Sequence, residues 1–299
     1  MDRPIKNQFS KTSDRWQLRT MQIDFGRLPV LMGIVNVTPD SFSDGGKFTD
    51  VKAAVDHALQ LIADGAGIID IGGESTRPYS AAISENEELK RTVKVVQGIR
   101  EQTTTPISID TSKSKVASEC IAAGAEIIND VTGLEGDENM PAIAAETKVG
   151  VCAMHMQGTP QTMQDDPTYD NIVEDIFGYL KQRRQALLEI GVDRERICLD
   201  PGVGFGKTHQ HNLDLIAGTE RFHDLDCPIL VGHSRKGFIA RILGDKSADR
   251  AAASAGVAIE LARKGVQVIR VHDVKVVCDA IQLFEAVGGI DGSVRTLED

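Results

Sequence analysis

The sequence predicts an α/β chain closed into a (β/α)8 TIM barrel, with a short hairpin-like extension at its N-terminal side. Three observations point there. From Val30 onward, short runs rich in Ile and Val alternate with segments of helical period. Gly65, Gly124, Gly191 and Gly265 each stand between a helical segment and the next run, where a chain leaves a helix in a left-handed conformation without a Cβ clash. Five runs end on a lone polar residue, Asn36, Asp110, Asn129, Asp200 or Arg270, and the carboxyl ends of parallel strands are where barrel enzymes keep their chemistry. An open doubly wound sheet is the competing layout.

Residues 1–15 are polar and read as a flexible lead, without the apolar h-region of an export signal. Trp16 to Phe25 alternates as a short hairpin strand and is placed to plug the bottom of the fold. Strands are expected near 30–36, 67–71, 106–110, 126–129, 149–154, 195–200, 228–232 and 266–271. Val51, Val55, Ala58 and Ile62 form one helical apolar stripe, and Ile172, Ile176, Leu180, Leu187 and Ile190 form another. Residues 1–299 are read as one domain whose barrel spans 29–287. The tail from Gly288 to Asp299 carries no motif.

With 299 residues, 41% of them hydrophobic, the chain can bury a large core. A formal charge of −11 argues against a nucleic-acid or anionic-membrane surface, since both need a basic face. A basic pocket for one small anion remains compatible with it. The five cysteines are scattered and include no C-x-x-C pair, which suits free thiols in a reducing cytoplasm. No apolar stretch approaches the roughly 18 residues of a membrane span.

The loops after Asn36, Ile71, Met154 and Asp200 are long and polar, as expected of a rim that builds a site. Asp110, Asn129 and Asp200 offer acceptors and one donor, a set that can read the edge of a heterocycle with paired N–H and C=O groups, such as guanine or a pterin. Each could instead cap the following helix. Asp70-Ile-Gly-Gly-Glu-Ser-Thr-Arg-Pro78 combines paired glycines, hydroxyls and Arg77 into an anion-friendly loop. Gly202-Val-Gly-Phe-Gly-Lys207 lacks the Walker A spacing and reads as a Gly-rich rim presenting Phe205.

Gly232-His-Ser-Arg-Lys-Gly237 is expected to open a helix with Lys236 toward the mouth, in the quarter where barrels bind phosphate. Arg270 and His272 share one side of the last strand by period-two alternation. His155 reads as a hydrogen-bonded structural histidine, and His209 and His211 as members of a solvated loop. Neither a Ser-His-Asp order nor H-E-x-x-H occurs, so hydrolase readings lack support.

Taken together, Met32-Gly-Ile-Val-Asn-Val-Thr-Pro-Asp-Ser-Phe-Ser-Asp-Gly-Gly46, Gly72-Gly-Glu-Ser-Thr-Arg-Pro78, Ser108-Ile-Asp110, Ile128-Asn-Asp130, Met154-His-Met-Gln-Gly158, Asp200-Pro-Gly-Val-Gly-Phe-Gly206, Ser234-Arg-Lys236 and Arg270-Val-His272 resemble the dihydropteroate synthase family. The resemblance runs from about Pro29 to about Val287. It implies condensation of 6-hydroxymethyl-7,8-dihydropterin diphosphate with 4-aminobenzoate, through a pterin cation, with Mg²⁺ as cofactor. It also implies a homodimer. By the same resemblance Asp110, Asn129, Asp200 and Lys236 would hold the pterin, with Met154 on its face. Asn36, Arg270 and His272, helped by Thr76, would hold diphosphate, and Asn36 would ligate the metal.

Thr76, Arg77, Pro78, Phe205 and Ser234 would shape the aminobenzoate subsite. Asp110, Lys236, Arg270 and His272 would act in catalysis, and the loop from Val37 to Gly46 would serve as a lid. His233, beside the Ser-Arg-Lys motif, receives no role. Two rivals are a pterin-binding barrel that passes a methyl group from a methylated folate to a corrinoid protein, and a silent homologue. The first has little need for Lys236 or the Arg270-Val-His272 end; the second should have lost site residues.

Overall fold

The computed structural model describes residues 13–38, 47–245 and 247–297. The expected lid falls mostly outside them. Strand β1 (Arg15–Gln17) pairs antiparallel with β2 (Gln22–Asp24). Eight parallel strands follow: β3 (Val30–Asn36), β4 (Ile68–Gly72), β5 (Ile107–Asp110), β6 (Ile127–Asp130), β7 (Gly150–Met154), β8 (Ile197–Asp200), β9 (Leu230–Gly232) and β10 (Val268–Val271). Their spatial order is β8-β7-β6-β5-β4-β3-β10-β9. A parallel bridge between Leu199 and Ile229, with Leu199 N–H donating to Pro228 O at 2.9 Å, brings β8 beside β9 and closes the ring.

The helices are α1 (Lys47–Ala63), α2 (Glu85–Arg100), α3 (Ser114–Ala122), α4 (Met140–Thr147), α5 (Ile172–Glu189), α6 (His209–Ala217), α7 (Gly237–Leu243), α8 (Ala251–Arg263) and α9 (Val274–Ala286). One helix follows each strand from β3 to β8, two follow β9, and α9 follows β10. Gly65, Gly124, Gly191 and Gly265 take φ of +109°, +116°, +93° and +74° in the αβ turns, as their positions predict. Among the described residues no helix is long and apolar enough to cross a membrane.

Three sequence expectations need correction. Ile190 is 45% exposed, because α5 ends at Glu189 and Ile190 caps it just before the turn at Gly191. His209 and His211 open α6 instead of lying in a loop: the Thr208 hydroxyl accepts from His211 N at 3.1 Å and His211 Nδ1 accepts from Thr208 N at 3.3 Å, a reciprocal cap. The strand expected from residue 195 starts at Ile197, since Arg194–Arg196 close a 3₁₀ turn first.

Trp16 and Leu18 are completely buried against the lowest inward layer, Met32, Ile68, Ile127, Cys152, Cys198, Leu230 and Val268. The hairpin therefore plugs the end of the barrel opposite the strand C-termini. Its polar groups are satisfied: Trp16 Nε1 donates to Arg196 O at 2.9 Å, and Thr20 donates its N–H and hydroxyl to Glu126, both at 2.8 Å. The thiols are free, with Cys120, Cys152, Cys198 and Cys227 buried. Above this plug the inward-facing positions turn polar.

Candidate active site

Period two puts Ile68, Asp70 and Gly72 on one face of β4, and Val268 and Arg270 on one face of β10. Asp70 is fully buried, and a buried carboxylate must be paired. Arg270 supplies the partner: Nε donates to Asp70 Oδ2 at 2.6 Å, while Nη2 donates to Asp110 Oδ2 at 2.7 Å. Asn129 Nδ2 donates to the two Asp70 oxygens at 3.3 and 3.2 Å. One edge of the guanidinium is thus clamped by two carboxylates from adjacent strands. Asp70 had no assigned role from sequence. Its signal was present, a lone carboxylate inside Ile68-Ile-Asp-Ile71 in phase with Gly72.

Asp200, at the end of β8, accepts from Gly202 N at 2.7 Å. Beside it runs Lys236, the residue that caps α7. Its ammonium donates to Val203 O and lies 4.0 Å from the Phe205 ring centroid. Gly204 makes room for that stem, since a β-carbon there would sit 2.4 Å from Lys236 Cδ. Met154 closes the same wall, its Cγ 3.3 Å from where a β-carbon on Gly202 would stand. Phe205 faces the Lys236 ammonium.

Burial dominates the electrostatics. It pushes the Asp110 carboxyl up to about 7, with Arg270 opposing and Asp70, Glu88 and Asp130 adding to the rise. It also raises Asp200, against the Gly202 N–H and the Lys236, Lys207 and Arg270 charges. Lys236 is pushed down to about 7 by burial, against the pull of Asp200 and with Arg270 adding to the fall. Arg270 is lifted above the ordinary range because Asp70 and Asp110 outweigh its desolvation. A charged cluster in a low-dielectric mouth with strongly shifted groups is the usual physical signature of a reaction site.

The structure adds Lys207, buried behind the Gly-rich rim. Its ammonium donates to Phe205 O at 2.8 Å and sits 3.0 Å from His155 Nδ1. Burial, then Lys207, depresses His155 to about 3, so it is a neutral structural histidine edge-on to Tyr179 at 4.8 Å. His233 is likewise buried and pairs through Nε2 with Ser254 O at 2.8 Å.

Where the chain leaves β9 and β10, His272 N donates to Ser234 Oγ at 3.2 Å, and His272 Nδ1 lies 3.1 Å from the same oxygen. Burial, then Arg270 and Arg235, push His272 down to about 4, so it offers a neutral imidazole at pH 7. Arg235 itself turns away to pair with Asp273. Thr76, Arg77 and Pro78 lie on the loop between β4 and α2, with Thr76 half-buried and the other two exposed. That loop rests on the one after β7, where Tyr79 N donates to Pro160 O at 3.0 Å. The Arg77 charge contributes to the depression of His272, which sets the loop on the same rim.

A β-carbon built on Gly72 would stand 3.7 Å from Asp110 Oδ2 and 3.8 Å from Asn36 Oδ1, so both oxygens face one small space that the glycine keeps open. Among the described residues no group of three or more His, Cys, Asp or Glu could hold a metal ion. An Asn36 amide oxygen beside a carboxylate already engaged by Arg270 fits only a hard cation that brings its other ligands as water and substrate phosphate. Mg²⁺ binds in that way.

Residues 32–272 match the family model described as "Pterin binding enzyme". Dihydropteroate synthase of Escherichia coli (strain K12) is 45% identical over 258 residues, covering 86% of this chain and 91% of the relative. That of Bacillus subtilis (strain 168) is 41% identical over 264 residues, with 87% and 90% covered. Among solved structures, the Yersinia pestis dihydropteroate synthase with a sulfonamide drug complex superposes with a TM-score of 0.85 at 41% identity, covering 91% of this chain and 98% of that one. The Xanthomonas albilineans enzyme in complex with 7,8-dihydropteroate superposes with a TM-score of 0.82 at 38% identity, covering 91% and 98%. The chain belongs to the pterin-binding enzyme family as a dihydropteroate synthase, a transferase of folate biosynthesis.

Proposed function

We propose that the polar mouth condenses 6-hydroxymethyl-7,8-dihydropterin diphosphate with 4-aminobenzoate through the following division of roles. Asn129 and Asp200 read the aminopyrimidinone edge of the pterin, Lys236 donates to the ring, and Met154 covers its face. Arg270, gripped along one edge by Asp70 and Asp110, turns its remaining N–H groups to the diphosphate, with Asn36, Thr76 and His272 as further contacts. Mg²⁺, held through Asn36, supplies charge neutralisation at the diphosphate when bound. Thr76, Arg77, Pro78, Phe205 and Ser234 border the aminobenzoate.

The bond between the exocyclic methylene and the diphosphate oxygen breaks with its electron pair going to diphosphate. Positive charge then builds on the pterin methylene, and the Asp110 carboxylate offsets it in a site that needs no reorganisation. The aniline nitrogen attacks with its lone pair, forms the C–N bond and releases one proton to water or to diphosphate. Because that nitrogen is already neutral at pH 7, no strong base is required. The observation that carries the reading is the clamp itself, since a guanidinium oriented by two buried carboxylates is preorganised for an anion.

We further read residues 1–299 as one domain, the enzyme as a homodimer, and its location as cytoplasmic, the last supported by five free cysteines. The test is direct. Purified protein with Mg²⁺ is expected to consume 4-aminobenzoate and form dihydropteroate only when the pterin diphosphate is supplied. Folded protein that forms none overturns the reading.

A further inference from the structure

We propose that Glu74 is a positioning residue for the aminobenzoate loop, acting as a latch with Lys113; the proposal rests on the assignment of Thr76, Arg77 and Pro78 to that substrate.

The loop between β4 and α2 leaves the barrel at Gly73, whose carbonyl accepts from Arg91 Nη1 at 3.0 Å. It leaves so close to α2 that a β-carbon on Gly73 would lie 2.7 Å from Thr92 Cγ2 and 2.9 Å from Glu88 Cγ. The next residue, Glu74, uses both carboxylate oxygens. Oε1 accepts from Ile83 N at 2.9 Å, nine residues along the chain, and so draws the two ends of the loop together. Oε2 accepts from Lys113 Nζ at 2.6 Å.

Lys113 carries the tie further. The same ammonium donates to Glu88 Oε2 at 2.5 Å, on a carboxylate that is fully buried and whose Oε1 has no hydrogen-bond partner among the described residues. Lys113 also stands three residues beyond Asp110, with its backbone N–H on Thr111 Oγ1 at 3.2 Å. One cation therefore joins the neck of the aminobenzoate loop, the first turn of α2 and the strand end that faces the pterin. Burial alone would lower this lysine, yet the two carboxylates hold it above the ordinary lysine range.

The arrangement explains why position 74 holds a carboxylate. Closing the neck needs one acceptor, which a glutamine would also supply; holding an ammonium with the second oxygen needs the charge. Inside the closed neck, Ser80 Oγ donates to Ser75 O at 2.5 Å and Ser80 N to Arg77 O at 3.1 Å, so Arg77 and Pro78 form the exposed tip of a braced loop. Neither Glu74 nor Lys113 belongs to the pterin cluster of Asp70, Asp110, Asn129 and Arg270.

The experiment is two-substrate steady-state kinetics on wild type and Glu74→Gln in the full chain, with folding checked by thermal melting. Glu74→Gln keeps the neck acceptor and the Lys113–Glu88 pair but loses the ionic tie. The KM for 4-aminobenzoate is expected to rise about 10-fold or more, the size of one lost charge-assisted hydrogen bond, while the Kd for the pterin diphosphate stays within about twofold. Should Glu74→Gln not fold, Ile83→Pro, which removes the N–H that Glu74 Oε1 accepts and fixes φ at residue 83, is expected to raise the aminobenzoate KM in the same direction by opening the neck. An unchanged aminobenzoate KM, or equal losses for both substrates, overturns the latch. A wild type that makes no dihydropteroate fails the functional reading instead, so the two failures are separable.

Discussion

Arg270 Nη2 donates to Asp110 Oδ2 at 2.7 Å across the barrel interior, from β10 to β5, two strands that share no edge of the sheet. With Asp70 on the other donor, this contact sets the direction of the only guanidinium in the cluster of Asp70, Asp110, Asn129 and Arg270. It also makes the charges interdependent, which gives the site a defined response to pH and to substitution.

The pH response follows from two opposite shifts. Asp110 must be ionised to hold Arg270, and its carboxyl, raised to about 7 mainly by burial, loses that form as pH falls through this value. Lys236 must be charged to donate to the ring, and its ammonium, depressed to about 7 mainly by burial, is lost as pH rises through this value. A narrow bell-shaped profile of kcat/KM centred near neutrality is expected, and Asp110→Asn should remove the acid limb from its residual activity. A profile flat from about pH 6 to about pH 8 would contradict the assignment.

Gly204 is expected to tolerate no side chain. It has φ of +85° and lies against the Lys236 stem. Gly204→Ala must displace Lys236 or the rim, so pterin affinity should fall about 10-fold or more while folding stability drops only by the cost of a positive φ, roughly 1–2 kcal/mol. Calorimetric titration with the pterin checks the first, and thermal melting the second.

Trp16 makes no contribution to the chemistry but seals the far end of the barrel. Trp16→Ala should destabilise the protein by about 3–5 kcal/mol in denaturant unfolding, through the cavity left under Met32 and Cys198. The KM values measured well below the melting transition should remain near wild type. A loss of substrate affinity without a loss of stability would contradict the plug.

Much of this molecule was legible in the order of its residues. The β-like runs located all eight barrel strands to within two residues, because a strand buried on both faces leaves an unbroken apolar run and the αβ glycines punctuate it. Positions of single polar residues at strand ends were legible for the same reason. What was not legible was pairing through the barrel interior. Asp70 and Arg270 lie 200 residues apart. Whether they meet depends on how far adjacent strands are sheared, which no local period encodes.

Local competition explains the other gaps. His209 and His211 read as loop because a polar stretch follows the glycines, yet Thr208 supplies a cap that starts a helix there. Lys207 read only as the end of a Gly-rich rim, since the His155 imidazole and the Phe205 carbonyl that its ammonium meets carry no charge and so leave no charge pattern that marks it as buried.

The role of the clamp is tested most directly by comparing Asp70→Asn with wild type in binding two ligands, the pterin diphosphate and the same pterin without its diphosphate. Asp70 grips Arg270 and Arg270 faces the diphosphate, so the substitution should weaken the diphosphate-bearing ligand about 10- to 100-fold, the worth of one charge-assisted hydrogen bond, and leave the bare pterin within about threefold. Equal losses for both ligands, or no loss for either, would contradict the claim that two buried carboxylates aim Arg270 at the leaving group.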